Sequence, residues 1–583
     1  MGGIVHAGLS PQIPELVDQD VLGEQLLSHR YDALRESLRK DAVTLVSELR
    51  PSGIVAALES DEVRTRLLLL SILNKLPVKV ISDREWAAKH REFLSWLFLS
   101  PDRLGLLLNE LRPEDKADKV LEVWAQLWNA EETLENREKY LPLMLALALL
   151  YDQPQNVSAP DNGNYPSLSL HERYRYFVTA SENHDLETSC AEMHPRELIR
   201  VVDLKISQQE IDWSHKNVRE SQRNWGSTYG MVEYLMERAV ENMEPYGYYV
   251  LWEILEKGGV CRDQAYFSAE SGKARGIPAT YVHGTGDRGA HAWVEFMPGE
   301  HEWQSYGSQG IVNGFVNDPQ RGITVSSRLM WLESSEDYSQ EKRVPVLLVL
   351  ELAEAARRAD QWKTAKTLLE EAKGMASLVV DTWREEVELT KASEGSTEAW
   401  EGLLDDMERN YDEHPNILED IASIRREYLL PTLDDEEMIR ALESEIRSMA
   451  RQNGSEGDLV SEAVASLAKI LVERESGEAL RSLFKGSLRK YGEDLELFGK
   501  LMDSYQRYGG KLAEVKPHIP EDLERYFKRE VETGSKEYFR GDMELSIQSR
   551  VEDAYRRAGR TEEADDIKED IAKRRERLER SAL

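Results

Sequence analysis

The chain has 583 residues, long enough for two to four domains, each with its own core. Hydrophobic residues make up 41% and charged residues 31%, a soluble globular composition. With 74 Lys plus Arg against 108 Asp plus Glu the net charge is -34, a field that repels nucleic acid and anionic membrane surfaces. No stretch reaches membrane-span length, since the longest apolar run, Leu141 to Tyr151, is short and contains a proline.

At the start, Met1 to Ala7 lacks the basic and apolar parts of a signal segment, although Val5-His6-Ala7 before Gly8 resembles the tail of a cleavage site. The expectation is a cytoplasmic protein as the sequence stands, or an exported one if the true start lies upstream. From Gln19 to Tyr151 the pattern is helical. Leu34, Leu38, Ala42, Leu45 and Leu49 form one stripe, ended by Pro51. Val63 to Leu76 is a second, stopped by Pro77. Ser100-Pro101-Asp102 is a capped helix start, and Val120, Leu121, Trp124, Leu127 and Trp128 line a further face. Asp152 to Ser167, rich in Pro, Asn and Gly, reads as a linker or exposed loop. Helical segments resume at Leu170 to Thr179, Pro195 to Ile206 and Gln208 to Arg223.

The pattern changes between Gly258 and Gly307. Cys261 follows Gly-Gly-Val and opens a helix in which Ala265, Phe267, Ala269 and Ala274 point inward. A strand is predicted from Ala279 to Val282, a glycine-rich loop from His283 to Gly289, an alternating strand from His291 to Phe296 and a short strand from Glu302 to Tyr306. A cysteine at a helix start faces the positive end of the helix dipole and exposed N–H groups, both of which favour thiolate. A histidine on a neighbouring strand can take the thiol proton and return it to a leaving amine, while the Cys261 N–H points where an oxyanion would form.

GGVCRDQA, RGIPATYVHG, GAHAWVEF and the EW that follows resemble the transglutaminase-like core, a cysteine-nucleophile fold related to papain-like enzymes. The resemblance covers roughly Tyr229 to Gly322. It implies that Cys261 is the nucleophile and His291 the base. It also implies an aspartate a few residues after Trp303 to hold the histidine, yet no carboxylate occurs before Asp318. A hairpin centred between Gly299 and Glu300 sets His291 opposite about Ser308. The third member is therefore sought among Gln309, Ser308 and Tyr306, with Asn313 a further candidate, and a neutral acceptor is expected on Nδ1. Upstream, Trp225 and Gln222 stand where related enzymes recruit an oxyanion donor.

Two cysteines, Cys190 and Cys261, make no disulfide framework and are both expected reduced. His184, Cys190 and His194 match no common zinc spacing, so no metal and no cofactor is expected. Beyond Arg321 the chain is helical again. Asp360 to Ala365 with Ala372, and Ala554 to Gly559 with Ala564, resemble the inner halves of tetratricopeptide repeats, without a strict period.

The fold expected is mainly α with a central α+β domain, an antiparallel sheet on a cysteine-bearing helix. It divides as a helical region 1–168, a transglutaminase-like core with a helical lobe 169–330, and helix-hairpin repeats 331–583. Two functions follow. One is a cysteine enzyme acting on peptide or protein amides through an acyl-enzyme, by hydrolysis or acyl transfer. The other is a catalytically degenerate scaffold that binds peptides in the same groove and a protein partner on its helical repeats.

Overall fold

A computed structural model describes residues 13–153, 165–236, 238, 245–286, 289–299, 301–309, 311, 314–449, 457–491, 495–531 and 541–581. The cleavage-like Val5-His6-Ala7, most of the linker and Asn313 lie outside the described residues. Helix α1 (Tyr31–Glu48) buries Leu34, Leu38, Ala42 and Leu45 at alternating three- and four-residue spacing and ends before Pro51. Helix α2 (Asp61–Lys75) buries every residue from Arg66 to Leu73 and so runs through the interior. Helix α3 (Pro101–Glu110) starts on the Ser100 hydroxyl, which accepts the Arg103 N–H at 3.4 Å. Helix α4 (Ala117–Ala130) carries the Trp124 and Trp128 face inward, onto α5 (Leu141–Tyr151), which is apolar on all sides and buried throughout from Leu143 to Leu150. Among the described residues no helix is long and apolar enough to cross a membrane.

Helices α6 (Leu170–Glu182), α7 (Pro195–Val202) and α8 (Gln208–Asn217) form the lobe beside the sheet, with α5 packed on α7. A 3-10 segment, Gln222–Met231, then crosses α9 (Cys261–Ala274), whose Ala265, Phe267, Ala269 and Ala274 are fully buried as the sequence pattern requires. The sheet has five antiparallel strands in the order β3-β2-β1-β4-β5: β1 (Ala279–Gly286), β2 (Gly289–Gly299), β3 (Glu302–Tyr306), β4 (Phe315–Asn317) and β5 (Thr324–Ser326). Helix α9 packs on β1 and β2. The expected glycine loop from His283 to Gly289 is mostly strand, because β1 and β2 stay paired out to Gly286 opposite Gly289. The β2–β3 register is one residue from expectation, with Val294 opposite Tyr306.

Helix α10 (Ser327–Glu333) follows the sheet, and α11 (Gln340–Arg358) and α12 (Trp362–Met375) make an antiparallel pair turned at Asp360, whose φ is +58. Paired helices continue to Ser581, including Gly541–Arg557 with Thr561–Ser581 around Gly559.

The apolar clusters do not follow boundaries at 168 and 330. One core runs from Leu22 to Leu389, a second from Leu332 to Leu429 and a third from Leu430 to Ala564. The first crosses both expected boundaries because α11 packs on α1, α2 and α3, where Glu351 accepts from Ser71 at 3.1 Å and Asn74 at 2.8 Å. Buried ion pairs join the same three regions, Arg196 with Glu110 at 3.0 Å and Arg321 with Glu333, while Arg200 with Asp318 at 2.9 Å ties the middle region to itself. Unpairing any one of them would strand a buried charge.

Candidate active site

The cysteine helix begins on two glycines that nothing larger could replace. Gly258 has φ +72, and a Cβ there would meet the Glu233 carbonyl at 2.7 Å. A Cβ on Gly259 would meet the Asp263 side chain and the Tyr246 hydroxyl at 2.6 Å. The crowding arises because Glu233 to Leu235 lies alongside: the Gly259 N–H donates to the Glu233 carbonyl at 2.8 Å, and the Leu235 N–H to the Gly259 carbonyl at 2.8 Å. Asp263, at the third helical position, accepts the Val260 N–H at 2.8 Å and is held in turn by Arg238 at 3.0 Å and the Tyr249 hydroxyl at 2.9 Å. Its carboxylate meets the positive end of the helix and leaves Cys261 half-buried on a rigid base.

His291 stands on β2 opposite Gly284, so its cross-strand neighbour on β1 has no side chain. On the other flank β3 ends at Tyr306, and Gly307, at φ +85, turns its carbonyl onto the imidazole, Nε2 to O at 2.6 Å. Glycine is required twice over, since a Cβ there would also meet the Tyr229 ring at 3.1 Å. With Nε2–H donated to this carbonyl, Nδ1 is the nitrogen left for the thiol. The expected acceptor on Nδ1 is thus on Nε2 instead, and it is a backbone oxygen rather than the side chain of Tyr306, Ser308 or Gln309. Gln309 and Tyr306 are exposed, and the Tyr306 ring lies 6.3 Å from that of Tyr229.

The Cys261 and His291 side chains act on each other. Burial pushes the Cys261 thiol up, but a hydrogen bond with His291, the backbone N–H groups of Ala292 and Arg262 and the imidazole charge outweigh it and bring the thiol below its ordinary value. His291 is raised by its bond to Cys261, against burial, with help from the Gly307 carbonyl. Both shifts favour a thiolate–imidazolium pair. Cys190 is different: burial pushes it up to about 12, and its contacts offer only the Ser181 hydroxyl. Among the described residues no group of His, Cys, Asp and Glu is placed to hold a metal ion, His184, Cys190 and His194 included.

Residues 218–307 match the family model of the transglutaminase-like superfamily. A transglutaminase-like domain is present here. Neither a curated protein nor a solved structure matches the chain. The match ends at Gly307, the residue that binds His291, so β4, β5 and α10 lie beyond it.

Within the transglutaminase-like domain, neither upstream donor is free. Trp225 is fully buried and its indole N–H donates to the Ser268 carbonyl at 2.9 Å. The Gln222 amide donates to the Met297 carbonyl at 3.0 Å and accepts from Thr188 at 3.3 Å, tying the 3-10 segment to β2. Both are structural ties here. Sequence reasoning also passed over the tyrosines around the thiol. Tyr229, Tyr234 and Tyr281 are each raised by burial and then by the charge on Cys261. Tyr234 is exposed, as is Met231 beside it. The signal for this rim was the run Tyr229-Gly230-Met231, polar-poor yet outside any apolar stripe.

Proposed function

We propose that the domain is a cysteine enzyme that cleaves amide bonds of peptides or proteins through an acyl-enzyme. The thiolate of Cys261 attacks the amide carbonyl, and the Cys261 N–H at the helix start faces the oxyanion. The C–N bond breaks as imidazolium His291 gives its proton to the leaving amine. Water or a second amine then attacks the thioester and loses a proton to His291, and the C–S bond breaks to release an acid or a new amide and restore the thiolate–imidazolium pair. The observation that carries this reading is the chain from Cys261 through His291 to the Gly307 carbonyl. Tyr229, Tyr234 and Tyr281 lie within electrostatic reach of the thiol, and the exposed Tyr234 offers an aromatic contact for a peptide.

One observation favours a second reading. The acceptor on His291 is a neutral carbonyl, which stabilises an imidazolium less than a carboxylate does. The alternative is therefore a peptide-binding scaffold that keeps the groove and uses the C-terminal helix pairs, tetratricopeptide-like in character, for a protein partner.

The deciding experiment treats the purified protein with a cysteine-directed acylating probe. The enzyme reading expects a thioester on Cys261 that turns over when an amine is added, and loss of labelling in Cys261→Ser. A probe that never acylates Cys261 leaves the scaffold.

A further inference from the structure

Glu295 is buried on β2, 2% exposed, and none of its hydrogen-bond partners is a cation. Its Oε1 accepts the Trp293 indole N–H at 3.3 Å and the Ser305 hydroxyl at 3.0 Å. Its Oε2 accepts the Trp331 indole N–H at 2.8 Å. A side chain this dry is expensive to bury, and the donors gathered on it offset the cost only while all of them stay in place.

The alternation of β2 puts His291, Trp293 and Glu295 on one side of the strand. Trp293 is stacked on His291, with ring centres 6.2 Å apart and planes at 26°. Its far edge is closed in, since a Cβ on Gly314 would meet both Trp293 and Val282 at 2.4 Å. Gly314 is itself held, its carbonyl accepting the Ser327 N–H at 2.8 Å at the start of α10. The indole beside the imidazole is thus fixed at one edge by Glu295 and at the other by Gly314. Two of these supports, Ser327 and Trp331, come from α10, beyond the segment that matches the family model.

We propose that Glu295 is a positioning residue for His291: anchored by Trp331 of α10 and Ser305 of β3, it locks the Trp293 ring against the imidazole and so sets the geometry of the Cys261–His291 pair. The proposal rests on the enzyme reading for its biological meaning, but it concerns the thiol–imidazole pair and is testable without turnover. Gly307 holds His291 at Nε2 and the thiol meets the other nitrogen, and the stacked Trp293 ring adds a restraint on the tilt of the imidazole plane.

The test is the rate of Cys261 alkylation by iodoacetamide in the full chain between about pH 5.5 and 9.5, read by mass spectrometry of the Cys261 peptide. Glu295→Gln keeps one acceptor and turns an amide N–H toward donors. It is expected to move the alkylation midpoint up toward that of an ordinary thiol and to slow the reaction near neutral pH by about tenfold. Trp331→Phe keeps an aromatic side chain, removes the indole donor and should shift the profile the same way by less. Ser334→Ala is the control, because Ser334 accepts from Trp303 at 3.0 Å and so ties the same helix to the same hairpin without touching Glu295. It should leave the profile unchanged.

Folded Glu295→Gln and Trp331→Phe proteins with the native profile overturn the proposal. An equal shift from Ser334→Ala does so as well, by reducing the effect to general loosening. If Glu295→Gln does not fold, Trp331→Phe against Ser334→Ala decides alone. Failure of the acylating probe together with shifted alkylation profiles removes the enzyme reading and leaves the positioning role standing.

Discussion

The surroundings of Cys190 and Cys261 make an instructive pair. Both thiols belong to the same apolar core, one buried between helices of the lobe and the other at a helix start beside the sheet. Burial acts on both in the same direction. At Cys190 it is nearly unopposed, and the thiol is held protonated. At Cys261 an imidazole and two backbone N–H groups reverse it. Reactivity is thus set by which donors the fold brings to the sulfur, more than by how much water it excludes.

The sharpest way to break that comparison is to alkylate the native protein. Cys261 should react and Cys190 should not, with rates apart by at least about a thousandfold, and Cys261→Ser should abolish fast labelling. Comparable labelling of Cys190 in folded protein would contradict the assignment. Next in size is truncation, with Cys190 as the reporter of an intact core. A chain ending near residue 330 loses α11 and also Glu333, which pairs with the buried Arg112 and Arg321, at a cost of about 3–5 kcal/mol for a buried charge left unpaired. Cys190 should then become reactive. A chain ending near Thr432 keeps the first two clusters and should keep Cys190 closed.

A smaller effect is expected from His291→Ala. Without the imidazole, burial is opposed by backbone donors alone, so the Cys261 midpoint should rise by about one pH unit and labelling near pH 7 should fall about tenfold. Identical profiles in wild type and variant would show that the two side chains do not communicate. Smallest is Gly307→Ala, which puts a side chain at φ +85 and against Tyr229. A loss of about 1 kcal/mol in unfolding free energy is expected, with a modest slowing of Cys261 as the carbonyl moves.

Much of this was legible locally. The stripe of α1, the proline stops, the bounds of β3 and the placing of Cys261 at a helix start all follow from spacing and punctuation a few residues wide. What escaped was whatever the backbone does at a distance. No side-chain pattern announces that a glycine carbonyl will hold His291, although a Tyr-Gly step closing a strand is where such a carbonyl turns out. Trp225 has the residue type of an oxyanion donor, and only the fold reveals that the Ser268 carbonyl occupies its N–H. The packing across residue 330 was hidden for the same reason. The leucines of α11 read like those of any helix, and their partners on α1 to α3 lie more than two hundred residues upstream.

That reach of α11 has a consequence for biosynthesis. The chain emerges from the ribosome N-terminus first, and the segment bearing Cys261 and His291 is complete once Gly307 has appeared. The core that supports it still lacks everything out to Leu389. At roughly 5–20 residues per second the nascent protein spends several seconds with its thiol made but its scaffold unfinished. Through that interval neither Cys190 nor Cys261 sits in the complete core that surrounds it in the folded chain. The docking of α11 closes that core around both thiols.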